Sequence, residues 1–168
     1  MNGRHLLLGI GLAAALVVVN LGIASRERLL RDGKVVLLQL APADPRSLMQ
    51  GDYMALGFAI AQNVRAALGD EVEVLADGHH DGYAVLALAA DSTTTFVREQ
   101  PDVEPLAPGE IALRYRLRGG EPRIVTNAWF FPEGQAARYQ PARYGELRVG
   151  DDGEALLVAL RDADLKPL

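Results

Sequence analysis

The sequence predicts an α+β protein: an N-terminal transmembrane helix, then a β-rich, mainly antiparallel domain of about nine strands with one or two short helices. Three observations support this. Leu6 to Ala24 is a nearly unbroken apolar run in which Asn20 is the only strongly polar member. From Lys34 onward, short apolar stretches alternate with clusters of Gly, Pro and Asp, the punctuation of strands and turns. Gly119-Gly120 and Asp151-Asp152-Gly153 each separate two such stretches and read as hairpin turns. At 168 residues and 49% hydrophobic content, the chain holds one anchored domain and is too short for two comfortable ones.

The expected organisation is a tail over residues 1–5, an anchor over 6–24, a connector over 25–33 and a soluble domain over 34–168. At about 1.5 Å per residue, Leu6 to Ala24 makes a helix of roughly 28 Å, close to a bilayer's hydrocarbon thickness. A cleaved signal peptide is the alternative, with Arg4 as its basic start, Leu6 to Val19 as its core and Gly22-Ile23-Ala24 as its cut. Length favours the anchor, because signal cores run about 7–15 residues. The chain has no cysteine, so a lipid anchor on a thiol is excluded. Arg26, Arg28, Arg31 and Lys34 follow the run, whereas Arg4 and the amino terminus precede it. Counted literally, the positive-inside rule keeps the domain in the cytoplasm, although long domains translocate largely regardless of charge.

Each later element has a local reason. Lys34 to Leu40 is a strand, apolar on both faces and therefore covered. Pro42 and Pro45 force extended or turn geometry on themselves and on the residues before them. Tyr53 to Ile60 reads as a second apolar strand. It leads into a helix over Ala61 to Leu68, where Ile60, Val64, Ala67 and Leu68 recur at helical spacing, and Gly69-Asp70 closes it. Glu71 to Leu75 is short and acidic. Gly82 to Ala90 is a buried strand with Thr93 to Arg98 returning beside it, and Gln100 to Gly109 is a proline-rich loop. Glu110 to Arg118 pairs with Pro122 to Phe131 around the glycine pair. Glu133 to Gln140 takes one or two helical turns, and Gly145 to Val149 pairs with Ala155 to Leu160.

Beyond Lys34 the chain carries 12 basic and 20 acidic residues, a net charge of −8. Such a domain does not bind nucleic acid, which requires clustered Lys and Arg. Anionic headgroups repel it too, so only Arg26 to Lys34 can sit at the membrane surface. The absence of cysteine removes thiol chemistry but does not decide the compartment.

Residues Ala41 to Phe58 are the most distinctive segment. Gly51 permits backbone angles closed to other residues, Asp52 can accept bonds from amides two positions on, and Tyr53, Leu56 and Phe58 supply apolar surface. The reading is a structural corner that locks strand register, with a binding site as the alternative. Gly51-Asp52-Tyr53-Met54-Ala55-Leu56-Gly57-Phe58 resembles the signature of the GDYXXLXY family, bacterial membrane-anchored proteins of unassigned function. Asp44-Pro45-Arg46 resembles the family's lead-in. The resemblance continues in Leu113 to Arg116, Phe131 to Gly134 and Tyr144 to Val149, and so spans nearly the whole domain. Phe58 stands where the family name carries tyrosine. The resemblance implies a single N-terminal anchor in the bacterial inner membrane and an extracytoplasmic domain. That opposes the charge count, and export is the expectation taken.

Other candidates have weaker support. Ser47 precedes Gly51-Asp52, as in signal-peptidase-like enzymes, but that chemistry needs a base, commonly a lysine with a depressed pKa. The only lysines are Lys34, beside the membrane, and Lys166, near the C-terminus. Asp77-Gly78-His79-His80-Asp81-Gly82 gathers two imidazoles and two carboxylates. Adjacent histidines on an extended chain point apart, however, so a solvated turn is expected rather than a metal site. Arg114, Arg116 and Arg118 alternate with Leu113, Tyr115 and Leu117, giving one apolar and one arginine-bearing strand face. Internal acids, for example Glu121 or Glu146, are expected to answer that row; a bound anion is the alternative. Trp129-Phe130-Phe131 places aromatics on both faces, and a wholly buried strand end is expected.

The functional expectation is a non-catalytic binding or assembly module, not an enzyme, held in the bilayer through residues 6–24 and working with another membrane protein. It needs no cofactor or metal, and its ligand is undetermined. Candidate binding residues are Asp44, Pro45, Arg46, Gly51, Asp52, Tyr53, Leu56, Phe58, Arg114 and Arg116. The competing readings are a membrane-tethered hydrolase using Ser47 or the Asp44 and Asp52 carboxylates, and a small-anion sensor using the arginine row.

Overall fold

The computed structural model describes residues 3–41, 49–50, 53–70, 72 and 80–168. Helix α1 (Gly3–Asp32) is continuous, so the expected connector is helical up to Gly33. The cause is local. Ser25 to Asp32 contains no Gly or Pro, and Glu27 and Arg31 lie four apart, a favourable helical pairing. Gly33 ends the helix, its N–H donating to the Leu29 carbonyl at 3.0 Å. The helix is long and apolar enough to cross a bilayer. From Gly9 to Arg28 its side chains are exposed, as at Leu12 (65%) and Val18 (69%), and Leu29 near its end is partly covered.

In chain order there follow β1 (Lys34–Gln39), β2 (Met49–Gln50), β3 (Tyr53–Ala55), α2 (Ala59–Leu68), β4 (His80–Leu88) and β5 (Thr94–Gln100). Then come β6 (Glu110–Arg118), β7 (Glu121–Ile124), β8 (Ala128–Phe130), α3 (Ala136–Tyr139), β9 (Tyr144–Val149) and β10 (Ala155–Arg161). They form three antiparallel sheets ordered β1-β9-β10, β2-β3-β8 and β5-β4-β6-β7. Both glycine turns make the hairpins expected of them, β6–β7 and β9–β10.

Strand β1 is covered, as its double apolar pattern requires. Val36, Leu37 and Leu38 are all buried. One edge pairs with β9, while on the other Leu37 N–H donates to Ser92 O at 2.8 Å. Helix α2 buries Ile60, Val64 and Leu68 and lies against β7, β5 and β1. The main core joins β1, α2 and the inner faces of β4, β6 and β9. A second cluster gathers Met54, Leu56, Phe131, Tyr139, Ala142 and Leu160 beneath β3, β8 and α3.

Three expectations need correction. The strand read over Tyr53 to Ile60 stops at Ala55, and helix α2 begins two residues earlier than expected. Leu56 donates to Asn127 O and Gly57 O accepts from Ala41, which turns the chain before the helical spacing takes over. The β6–β7 hairpin ends at Ile124 rather than Phe131. Val125 adopts a positive φ of 50°, and the chain then pairs β8 with β3. Finally, His80, Asp81 and Gly82 belong to β4 rather than to a solvated turn.

Candidate functional site

The signature residues that the structure describes take part in the packing of the domain. Tyr53 is half-buried on β3, opposite Phe130, with ring centroids 5.8 Å apart. Leu56 is buried in the second cluster, and Phe58 is buried in the main core while its backbone bridges Leu40. Phe58 also lies on Gly145 of β9, where an added Cβ would meet Phe58 Cε1 at 3.0 Å. The signature is thereby joined to the Tyr144 to Val149 segment through a ring seated on a glycine. The seat uses the ring edge, so phenylalanine satisfies it without a hydroxyl. Asp44, Pro45, Arg46, Gly51 and Asp52 lie outside the described residues, as do Ser47, Asp77, His79 and most of Glu71 to Leu75.

The arginine row on β6 is where charge concentrates. Its inward neighbours Leu113, Tyr115 and Leu117 are fully buried, which turns Arg114, Arg116 and Arg118 to the opposite face. Tyr115 anchors this orientation. It faces Gly82 across the β4–β6 ladder, and its hydroxyl donates to Glu99 Oε1 at 2.8 Å. An added Cβ at Gly82 would stand 2.6 Å from that hydroxyl, so the glycine makes room for the tyrosine.

Acids do answer the row, but not Glu121 or Glu146. Those two pair with Arg65 and Arg161. Sequence neighbourhood misled here, because partners are set by which strands adjoin. Arg114 donates to Asp81 Oδ2 at 2.7 Å and to Glu154 Oε1 at 2.5 Å. Arg118 reaches Asp81 Oδ1 at 3.4 Å. Partial burial opposes ionisation of Asp81, yet the hydrogen bonds and charges of Arg114 and Arg118 outweigh it and hold the carboxyl below the usual range. Glu154 arrives from the β9–β10 turn, which docks on the β6 edge through Arg114 N–H donating to Gly153 O at 2.9 Å.

Arg116 is served poorly, its closest described carboxylate being Glu154 at 4.0 Å. Arg116 stands between two cross-strand partners, Asp81 of β4, whose carboxylate is engaged by Arg114 and Arg118, and Arg123 of β7. These arginines and Arg26 of α1 border a cleft of about 500 Å³. A second cleft of about 860 Å³ lies between the end of α1 and the β9–β10 turn, with Arg26, Arg28 and Lys34 set against Asp32, Asp151 and Asp152. Sequence reasoning missed Arg123, Arg26, Asp81 and Glu154 as parts of one site. The Arg116–Arg123 pair was legible in principle. A two-residue Gly119-Gly120 turn sets 118 opposite 121, and hence 116 opposite 123.

The other candidates do not converge. Lys34 lies 3.9 Å from Asp151, and Lys166 3.3 Å from Asp164, both on the surface. His80 is half-buried with its ring 6.5 Å from that of Tyr115. Among the described residues, no group of three or more His, Asp or Glu side chains comes together as metal ligands would. The aromatic triplet is not wholly buried: Phe131 is core and Trp129 half-buried, while Phe130 is 74% exposed.

The GDYXXLXY protein family model matches residues 15–160. The chain belongs to the GDYXXLXY family. The match takes in the last part of the apolar run, the signature, the arginine strand and both hairpins, so it covers the fold rather than one motif. No curated protein and no solved structure matches the chain.

Proposed function

We propose that this GDYXXLXY protein is a non-enzymatic binding or assembly module that works with another membrane protein. The observation that carries the reading is the junction between anchor and domain. Gly33 alone separates α1 from β1. The Arg148 guanidinium reaches Gly33 O at 3.4 Å, and Leu29 lies against the β9–β10 turn, where an added Cβ at Gly150 would meet its Cδ1 at 3.2 Å. A domain mounted without a linker meets only what shares its membrane or its surface. Exposed Phe130 beside Tyr53, at the side of the β2-β3-β8 sheet, offers an aromatic contact of the type enriched at protein interfaces. The domain faces the outside of the cytoplasm from a bacterial inner membrane.

Cross-linking in native membranes followed by purification in mild detergent tests the partner. A recurrent membrane-protein adduct that Phe130→Ser removes supports it, whereas a protein always recovered alone and monodisperse refutes it. A single cysteine at exposed Asp152, labelled in intact cells by an impermeant thiol reagent, tests the side. Labelling only after lysis would put the domain in the cytoplasm.

A further inference from the structure

We propose that the arginine-lined cleft is a binding site for a phosphate-bearing anion, and that its position assigns the phosphate to a lipid headgroup. Like charges directly opposite on paired strands repel, with Cβ atoms only about 4.5–5.5 Å apart. Arg116 and Arg123 are such a pair, and Arg114 and Arg118 flank Arg116 at two-residue spacing on the same face. Arg26 adds a further cation from α1. The carboxylates that answer them among the described residues are Asp81 and Glu154. Arg114 holds the closest oxygens of both. Among the described residues, Arg123 is in no ion pair, and Arg116 keeps only the contact at 4.0 Å.

This local surplus of positive charge persists in a chain of net charge −5. Asp81, in register with Arg116 on β4, gives its hydrogen bonds to Arg114 and Arg118, so folding alone leaves the in-register pair Arg116 and Arg123 poorly answered. A bound anion answers them, because guanidinium forks match phosphate oxygens in geometry and charge. The larger cleft, by contrast, sets acids against its bases and carries no such surplus. The source follows from Arg26, which stands two residues beyond the apolar run of the anchor. The cleft therefore opens where the helix leaves the bilayer, at the depth of headgroup phosphates. This inference needs no protein partner, so it stands or falls separately from the assembly role.

The test uses the full chain in an uncharged detergent. Thermal midpoint is followed while phosphatidylglycerol, phosphatidylcholine or inorganic phosphate is titrated at constant ionic strength. The expected result is a saturable rise with phosphatidylglycerol, at least tenfold weaker with phosphatidylcholine or inorganic phosphate. R116Q/R123Q loses the rise, while R28Q/R31Q, an equal charge change outside this cleft, keeps it. Unliganded R123Q should melt no lower than the parent, since the change relieves a repulsion; a purely structural arginine would lower it. Equal strength for inorganic phosphate and phosphatidylglycerol overturns the lipid source and leaves a soluble phosphate anion as ligand. No saturable response, or an undiminished one in R116Q/R123Q, overturns the site.

Discussion

Replacing Gly82 with alanine tests the packing that aims the arginine face. The new Cβ would stand 2.6 Å from Tyr115 Oη, 2.8 Å from Tyr115 Cζ and 2.8 Å from Glu99 Oε1. Tyr115 is fully buried and cannot swing away. Overpacking of this kind costs about 1–3 kcal/mol, and loss of a hydrogen bond to a carboxylate about 1.5–3 kcal/mol. Alanine returns about 0.4–1 kcal/mol by stiffening the unfolded chain. The net loss should be about 2–4 kcal/mol, a fall in melting temperature of roughly 6–12 °C for a domain of this size. Trp129 is the only tryptophan, so its fluorescence reports the domain without the helical signal of α1. Gly22→Ala is the control, because its Cβ meets nothing within 4 Å. If Gly82→Ala melts within a degree or two of that control, Tyr115 does not sit on Gly82. The orientation assigned to Arg114, Arg116 and Arg118 would then be wrong.

Phe58→Ala removes a ring that is 4% exposed and should cost about 3–5 kcal/mol by chemical denaturation; a loss below about 1 kcal/mol would contradict its core position. Asp81→Asn should act in opposite directions on stability and binding. It weakens two partly exposed charge-assisted bonds, costing about 1 kcal/mol, but frees Arg114 and Arg118 and so tightens phosphatidylglycerol binding several-fold at low salt. Weaker binding would show that Asp81 positions the arginines rather than competing for them. Acid should destabilise the domain through Asp81 and Glu110, both held below the usual carboxyl range. Glu110 owes this to the Arg98 hydrogen bond first and the Ala107 N–H second. Their contribution is complete above the unfolded values near 4 and is lost as pH falls through the lower folded values. Melting curves between roughly pH 5 and 2 should show this slope, and Asp81→Asn/Glu110→Gln should flatten it.

The sequence by itself determined the elements whose cause lies within a few residues. The apolar N-terminal helix follows from an apolar run of bilayer length, the two hairpins from their glycine turns, α2 from the spacing of Ile60, Val64 and Leu68, and the family from residues 51–58 and their companion segments. The β6 register even implied the Arg116–Arg123 pair once the turn length was known. Tertiary structure alone decided which strands became neighbours, and this settled the candidate site. Asp81 and Glu154 answer the arginine row because β4 and the β9–β10 turn adjoin β6, while Glu121 and Glu146, nearer by analogy of sequence, were drawn to Arg65 and Arg161. Phe58 found Gly145 across 87 residues of chain for the same reason. Short-range propensities set local backbone geometry, but the partners of a charge or a ring depend on long-range packing, where local patterns carry no signal.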